Sequence, residues 1–412
     1  MVKFLGAFKK MVEMVGYHKK ESQKVKIAID LRPLQSGHKF RGIGKYIANV
    51  VPELFKIGAK DTFVCYYYGE EAPDLPYSAN VELISGGDYN PDKLASKLAR
   101  KFLMYQPGLK EDTQCDVLFQ PDISFGLSKK SPTVVTLYDL IPIIYRDKYF
   151  VARKKPAILK PFWDLRNNQV FQQFMRINER FAKADGIVSI SQASIHDLHK
   201  LFANTSLVPY TITPLAAQAL PKPSVKRIHN NPFMIYVGGT DSRKNLHQLV
   251  DMFTRAVEQG LDMDLLLIGY DFTQTNFYDT RKLLEHIEES SAKSHIKIIG
   301  YADDQKLATY YAQAKALLFS SEYEGFGMPI LEAMQAGCPV VCFNNSSIPE
   351  VAGKAAIMAD NKTDFINGIK RLANSEKLRQ ELIRKGHKQA SMFTWETTAR
   401  KTYDAFKKAA NK

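Results

Sequence analysis

Two acidic residues frame a glycine-bearing loop in the second half of the chain. In "SSEYEGFGMPILEAMQAGCPVV", Ser320 to Val341, Glu324 and Glu332 stand eight residues apart with Gly325, Phe326, Gly327 and Met328 between them. The preceding "ALLFSS" reads as a strand. "PILEAMQAG" reads as a helix, with Pro329 suited to its first position and Gly337 just past its end. Glu324 then lies in the loop and Glu332 in the first turns of the helix, both able to face the space above the strand. Gly325 and Gly327 allow a ligand close to the backbone. The N–H groups of Phe326, Gly327, Met328 and Ile330 are available donors there, and Pro329 has none. Carboxylates accept hydrogen bonds from hydroxyls, and a vicinal diol offers two. Two carboxylates around a nest of N–H donors therefore suit a molecule with hydroxyls at both ends and phosphates between, which describes a nucleotide sugar. The alternative, one capping acid and one exposed acid, explains the acids but not the loop.

Two further turns carry chemistry. In "VGGTDSRKNL", Arg243 and Lys244 sit where a helix begins, an end that prefers anions. Two cations at that place imply an anion between them, or else plain solvated charges. In "FRGIGKYI", Gly42 and Gly44 precede a helix expected from about Lys45, whose N–H groups point at the loop. The third glycine of a dinucleotide fingerprint is missing, so a tight turn is the competing reading.

These turns need a scaffold. "KVKIAID", "TFVCYYY", "VELIS", "CDVLF", "TVVTLYD" and "GIVSIS" are apolar strands, separated by helical stretches such as "PDKLASKLARKFLMY". "FMIYVGG", "DLLLIG", "IKIIG", "ALLFSS" and "PVVCF" repeat the pattern in the second half. The helix "NLHQLVDMFTRAVEQG" lies among them, with Asn245 as its expected cap and Gly260 as its stop. Buried strands alternating with amphipathic helices predict parallel sheets covered on both faces. The expected class is α/β, with two doubly wound, Rossmann-like domains facing across a cleft. The divisions are a basic amphipathic helix over 1–24, a first domain over 25–217, and a proline-bearing linker over 218–230. A second domain follows over 231–390, and a helix over 391–412 packs back toward the first domain. Ligands of such sheets sit at the carboxyl ends of the strands.

Composition narrows the setting. The chain has 412 residues and a net charge of +14, and residues 1–220 carry most of the excess. That half faces something anionic. Leu5, Phe8, Val12 and Val15 recur at helical spacing among lysines, which suits an anionic membrane surface or the protein's own first domain. No apolar run reaches the ~20 residues that a membrane span needs. Four cysteines make no disulfide framework. Cys338 and Cys342 fall on a strand, about 13 Å apart at ~3.3 Å per residue, and read as buried apolar residues of a reducing cytoplasm. Asp262 and Asp264 spell a D-x-D but lead into a buried strand, and His196 and His199 lack a third ligand. "ARKKPAILKPFW" suits the rim of a site for an anionic acceptor or lipid better than it suits nucleic acid.

"YEGFGMPILEAMQAGCPVV" resembles the E-x7-E motif of retaining glycosyltransferases of family 4 (glycosyl transferases group 1), which have the GT-B fold. "YVGGTDSRKNLHQLVDMF", "IIGYADDQKLATYYAQAKALLFSS" and "SSIPEVAGKAA" are similar to the donor half of that family, and "IDLRPLQSGHKFRGIGKYI" and "VVTLYDLIPIIY" to its acceptor half. The resemblance implies that Glu324 holds the hexose and Glu332 the ribose. It implies that the backbone at Gly325, Phe326, Gly327 and Met328 meets sugar and phosphates, and that Lys244, with Arg243, neutralises the departing diphosphate. Gly42 and Gly44 would approach the donor from the first domain, and Tyr301 would stand beside the base. Tyr138 and Asp139 occupy the place of a His-Asp pair common in the family, so a phenol stands where an imidazole is usual. Gly239 stands where the family often has arginine.

The expected activity is transfer of a hexose, with retained configuration and without metal or other cofactor. The donor would be a nucleotide diphosphate sugar and the acceptor a saccharide or lipid-linked saccharide. The expected setting is the cytoplasm, with peripheral attachment at the inner face of a membrane as the second option, and no nucleic-acid partner. An inactive scaffold of the same fold, a phosphorylase and a nucleotide-sugar epimerase are the alternatives.

Overall fold

The computed structural model of the chain describes residues 24–40, 42–85, 114–128, 130–150, 160–274 and 277–411. The expected amphipathic helix over 1–24 and the helix expected at "PDKLASKLARKFLMY" fall almost wholly or wholly outside these residues.

Among the described residues the first sheet has seven parallel strands: β1 Lys26–Asp30, β2 Thr62–Tyr67, β3 Val81–Ser85, β4 Val117–Gln120, β5 Thr133–Leu137, β6 Gly186–Ser189 and β7 Tyr210–Ile212. Their order is β3-β2-β1-β4-β5-β6-β7. The second sheet has six: β8 Phe233–Val237, β9 Asp264–Ile268, β10 Ile296–Gly300, β11 Leu317–Phe319, β12 Val340–Phe343 and β13 Ile357–Ala359, in the order β10-β9-β8-β11-β12-β13. Every pairing is parallel. β4, β5, β6 and β9 are buried at every residue. A strand covered on both faces has no solvent side, which is why these segments are apolar runs without alternation.

The described helices are α1 Gly42–Ile57, α2 Ile141–Ile144, α3 Arg146–Tyr149, α4 Lys160–Asn178, α5 Gln192–Leu201, α6 Leu246–Glu258, α7 Tyr278–Glu289, α8 Asp304–Gln313, α9 Met328–Gln335, α10 Ile348–Ala352, α11 Lys362–Asn374, α12 Glu376–Ala390 and α13 Trp395–Ala410. α6 buries Leu246, Leu249, Val250, Met252, Phe253 and Ala256. Full burial of a large apolar side chain contributes ~2 kcal/mol, so this stripe fixes the helix on its sheet.

α13 belongs to the first sheet. It lies along α1 and across β4 to β7, with Phe406 against Phe119 at 5.0 Å between ring centroids. Tyr403 and Lys407 both reach the buried carboxylate of Asp61, and the Thr398 hydroxyl donates to the Pro214 carbonyl.

Each sheet reverses its strand order once, between β1 and β4 and between β8 and β11. In such sheets the carboxyl ends at the reversal open onto the ligand crevice. The Arg243-Lys244 turn leaves β8, and the Glu324 loop leaves β11. The two are therefore neighbours by topology.

Three local expectations are corrected. α1 starts at Gly42, not near Lys45, so Gly42 and Gly44 lie in its first turn rather than in a loop before it. The first turn of a helix makes few intrahelical hydrogen bonds, and glycine is tolerated there. Asn245 precedes α6 but does not cap it: it takes the left-handed conformation (φ 58°) after a 3-10 turn, and its amide donates to Gln248 Oε1. β7 and β13 extend the sheets beyond the strands expected from sequence.

Candidate active site

The Glu324 carboxylate is the centre of the site. It is buried, at 6% exposure. Its Oε1 accepts from Lys244 Nζ at 2.6 Å and from the Ser321 hydroxyl at 2.7 Å, and its Oε2 accepts from Arg243 Nη1 at 2.7 Å. Burial alone would raise its pKa, but the charges of Lys244 and Arg243 outweigh it and hold the carboxyl below its usual value. Arg243 Nε also stands 3.9 Å from Asp241 Oδ1, so the two cations are shared between two carboxylates at the end of β8 and β11.

The sequence places these groups by local turns. Asp241 Oδ1 accepts from the Arg243 backbone N–H at 3.1 Å, closing the 3-10 turn Ser242–Lys244. This carries both basic side chains toward the loop after β11. That loop is tied back in turn. The Glu322 N–H donates to the Arg243 carbonyl at 2.9 Å, and the Ser320 hydroxyl to the Lys244 carbonyl at 2.8 Å. Arg243 Nη1 also donates to the Tyr323 carbonyl at 2.9 Å.

Two serines hold the next residues. The Glu324 N–H donates to Ser346 Oγ at 3.0 Å, and the Ser347 hydroxyl lies 2.9 Å from the carbonyls of both Glu324 and Phe326. Phe326 is buried against Phe393. Gly327, at φ 105°, takes a conformation that favours glycine and turns the chain into α9 at Met328. The Ile330 N–H, a candidate donor from the sequence, instead donates to the Gly327 carbonyl at 3.0 Å, which leaves Phe326, Gly327 and Met328 as the candidates.

Glu332 lies on α9, half-buried. The Tyr311 hydroxyl donates to its Oε2 at 3.2 Å. Burial raises its pKa, opposed by that hydrogen bond and by the charge of Lys45, which reaches it from α1 of the first domain. Gly42 and Gly44 begin the same helix. Tyr301 follows β10 and is 69% exposed.

Across the cleft, Asp139 Oδ1 accepts from the Ile141 N–H at 3.0 Å, and its carboxyl is raised by burial despite Arg243 and Lys244 nearby. A methyl group at Gly325 would meet this residue at 2.9 Å, so the domains touch there. Tyr138 is oriented otherwise than the sequence suggested. Its phenol is buried in the first domain, perpendicular to Tyr46 at 5.5 Å, and it presents its backbone carbonyl to Gly325. A hydroxyl so enclosed does not face the donor side of the cleft.

The sequence reading therefore named the charged trio and its loop. It missed Ser321, Ser346, Ser347, Tyr311 and Asp241. Serines and tyrosines near a loop carry no spacing signal; Ser346 and Ser347 meet the Glu324 loop because β12 lies beside β11, and Tyr311 meets Glu332 from α8. Cys338 and Cys342 are buried and free, and burial pushes the Cys342 thiol up to about 12. Asp264 begins β9, buried between His229 at 2.7 Å and His295 at 3.4 Å. Among the described residues no helix is long and apolar enough to cross a membrane.

Known proteins resemble parts of this chain. Residues 221–389 match the model of the family described as glycosyl transferases group 1. The O-antigen chain mannosyltransferase B of Escherichia coli is 31% identical over 244 residues, 56% of this chain and 62% of the relative. The serotype-specific mannosyltransferase WbdA of Escherichia coli is 23% identical over 287 residues, 66% of this chain and 33% of the relative. The chain thus spans less than two thirds of the length of either. Sucrose-phosphate synthase from Thermosynechococcus elongatus superposes with a TM-score of 0.64 at 18% identity, over 92% of this chain and 97% of that one, which shows a common fold. The second domain is thus similar to the glycosyl transferases group 1, and the two-sheet architecture of the whole is a GT-B fold.

Proposed function

We propose that the protein transfers a hexose from a nucleotide diphosphate sugar to a saccharide or glycolipid acceptor, with retained configuration and without a metal ion. The observation that carries this reading is the buried Glu324 carboxylate held between Lys244 and Arg243 at the entrance to α9. Cleavage of the donor places growing negative charge on the leaving diphosphate. Lys244, Arg243 and the N–H groups at the start of α9 are fixed in advance to receive it. Glu324 then accepts hydrogen bonds from the hexose and Glu332 from the ribose. The backbone from Gly325 to Met328 lies along the phosphates, Tyr301 stands at the base, and α1, from Gly42 and Gly44, approaches from the first domain. Two basic side chains supply the charge stabilisation that a divalent cation gives elsewhere.

Mannose is the first hexose to test, because two relatives are named mannosyltransferases. The test is a thermal-shift screen of GDP-, UDP-, dTDP- and ADP-sugars, followed by transfer from the best binder to oligosaccharide acceptors. Stabilisation by GDP-mannose and product formation are expected; a chain that binds none of the four classes refutes the reading. The anomeric configuration of the product, read by NMR, tests retention, and undiminished transfer in EDTA tests metal independence. The basic stretch 1–24 is proposed to hold the enzyme at an anionic membrane surface. Loss of sedimentation with anionic vesicles on deletion of residues 1–22 tests this.

A further inference from the structure

The first domain reaches both loops that carry the charged trio. Lys148 Nζ donates to Glu322 Oε2 at 2.6 Å, and the Tyr149 hydroxyl donates to Asp241 Oδ2 at 2.7 Å. The Tyr145 ring meets the Tyr323 ring edge-on, with centroids 6.0 Å apart, and Lys148 Nζ lies 4.8 Å from the Tyr145 centroid. Tyr145 joins α2 to α3, and Lys148 and Tyr149 lie on α3.

Their partners are not scattered over the second domain. Asp241 uses its other oxygen, Oδ1, to close the turn that aims Arg243 and Lys244. Glu322 lies two residues before Glu324, and its N–H holds the Arg243 carbonyl. Tyr323 gives its carbonyl to the Arg243 guanidinium. One short segment of the first domain thus grips the Arg243 turn at Asp241 and the Glu324 loop at Glu322 and Tyr323. The contacts are polar and partly exposed. Such contacts can be made and broken as domains move, whereas a fixed joint buries a large apolar area.

We infer that Lys148 and Tyr149 are positioning residues for the donor site: by holding Glu322 and Asp241 from across the cleft, they set the spacing of Arg243, Lys244 and Glu324, so that the diphosphate-binding charges reach full geometry only when the domains meet. This rests on the proposed donor site. Lys148 acts through Glu322, and Tyr149 through Asp241 and through its own closeness to Arg243. A point ammonium and a phenol suffice, and their spacing on adjacent residues of α3 lets each meet a different loop.

The test compares the full-length chain with Tyr149→Phe, Lys148→Gln and the double variant. Binding of GDP, UDP, dTDP and ADP is measured by calorimetry, and kinetics are measured with the donor that proves active. Tyr149→Phe keeps the ring and removes only the hydroxyl. The double variant is expected to weaken nucleoside diphosphate binding and raise the donor KM by about tenfold, the size of one or two charge-assisted hydrogen bonds. The acceptor KM and the melting temperature should stay near those of the native chain. Lys148→Arg should retain native donor kinetics. Native nucleotide affinity and donor KM in the double variant overturn the inference. If Lys148→Gln lowers the melting temperature, the swap Lys148→Glu with Glu322→Lys decides: recovered stability with recovered donor KM supports the inference, and recovered stability with a donor KM still raised tenfold overturns it. Should the native chain itself bind none of GDP, UDP, dTDP and ADP, the donor-site reading fails, and this one with it. Native binding with unaltered variants sinks the positioning role alone.

Discussion

Gly325 of the second domain stands against Asp139 of the first so closely that a methyl group there would lie 2.9 Å from both the Cβ and Oδ2 of Asp139, and 3.2 Å from the Tyr138 carbonyl. The loop of the charged trio and the end of β5 are thus at van der Waals contact. Gly325→Ala is expected to hold the domains apart without disturbing either sheet. Because a displacement of ~1 Å can cost ~100-fold in rate, kcat/KM for the donor should fall by ~10- to 100-fold. The melting temperature should change little, and small-angle scattering should show a larger radius of gyration. Native kinetics in this variant would mean that the contact has no part in turnover.

Glu324 couples stability to function. Glu324→Gln leaves two buried cations facing a neutral amide. Breaking a buried pair in this way typically costs ~3 kcal/mol or more. Transfer should fall by at least ~100-fold, on the scale of losing one preorganised charge partner. The nucleoside diphosphate should now replace the missing negative charge. Its thermal shift is therefore expected to be larger in Glu324→Gln than in the native chain, a comparison that differential scanning fluorimetry makes directly.

The two acids should respond to pH with opposite signs. The pKa of Glu324 is depressed in the folded chain, so its stabilisation is present above the ordinary value near 4.5 and is lost as pH falls through the lower folded value. The pKa of Glu332 is raised, so its favourable, protonated form holds below 4.5 and is lost as pH climbs through the higher folded value. Glu324→Gln is therefore expected to destabilise strongly at pH 7 and weakly in acid. Glu332→Gln should gain stability relative to the native chain between pH 4.5 and 7. Urea titrations of the three proteins at several pH values check both slopes.

Ser347→Ala removes the hydroxyl shared by the carbonyls of Glu324 and Phe326. A buried carbonyl left without a partner costs ~1–3 kcal/mol. Since those carbonyls fix the path from Glu324 into α9, a rise in donor KM should accompany the lost stability. Ser347→Thr, which keeps the hydroxyl, should recover much of the donor affinity.

The sheets were readable from residues such as Val117–Phe119 and Leu265–Ile268 because strands buried on both faces must be apolar throughout. β7 and β13 have three residues each, too few to show a pattern. Arg243, Lys244 and Glu324 were readable because cations at a helix start and an acid among glycines are individually unfavourable and ask for partners. That they partner one another is a property of β8 and β11 lying side by side, and sequence spacing does not contain it. Gly325 was read as room for a ligand, and the structure brings Asp139 to the same spot. The contacts of Lys148 and Tyr149 join residues some 90 to 170 positions apart in the chain. No local rule links them.

α13 returns from the second domain to lie on the first sheet, so the chain passes between the halves twice, once before β8 and once before Trp395. Two covalent tethers confine the halves to swing about a line instead of tumbling freely. A protein cut short before Trp395 would lose one tether and, with it, the apolar cover of β4 to β7. Such a truncation should cripple a first domain whose own sequence is untouched.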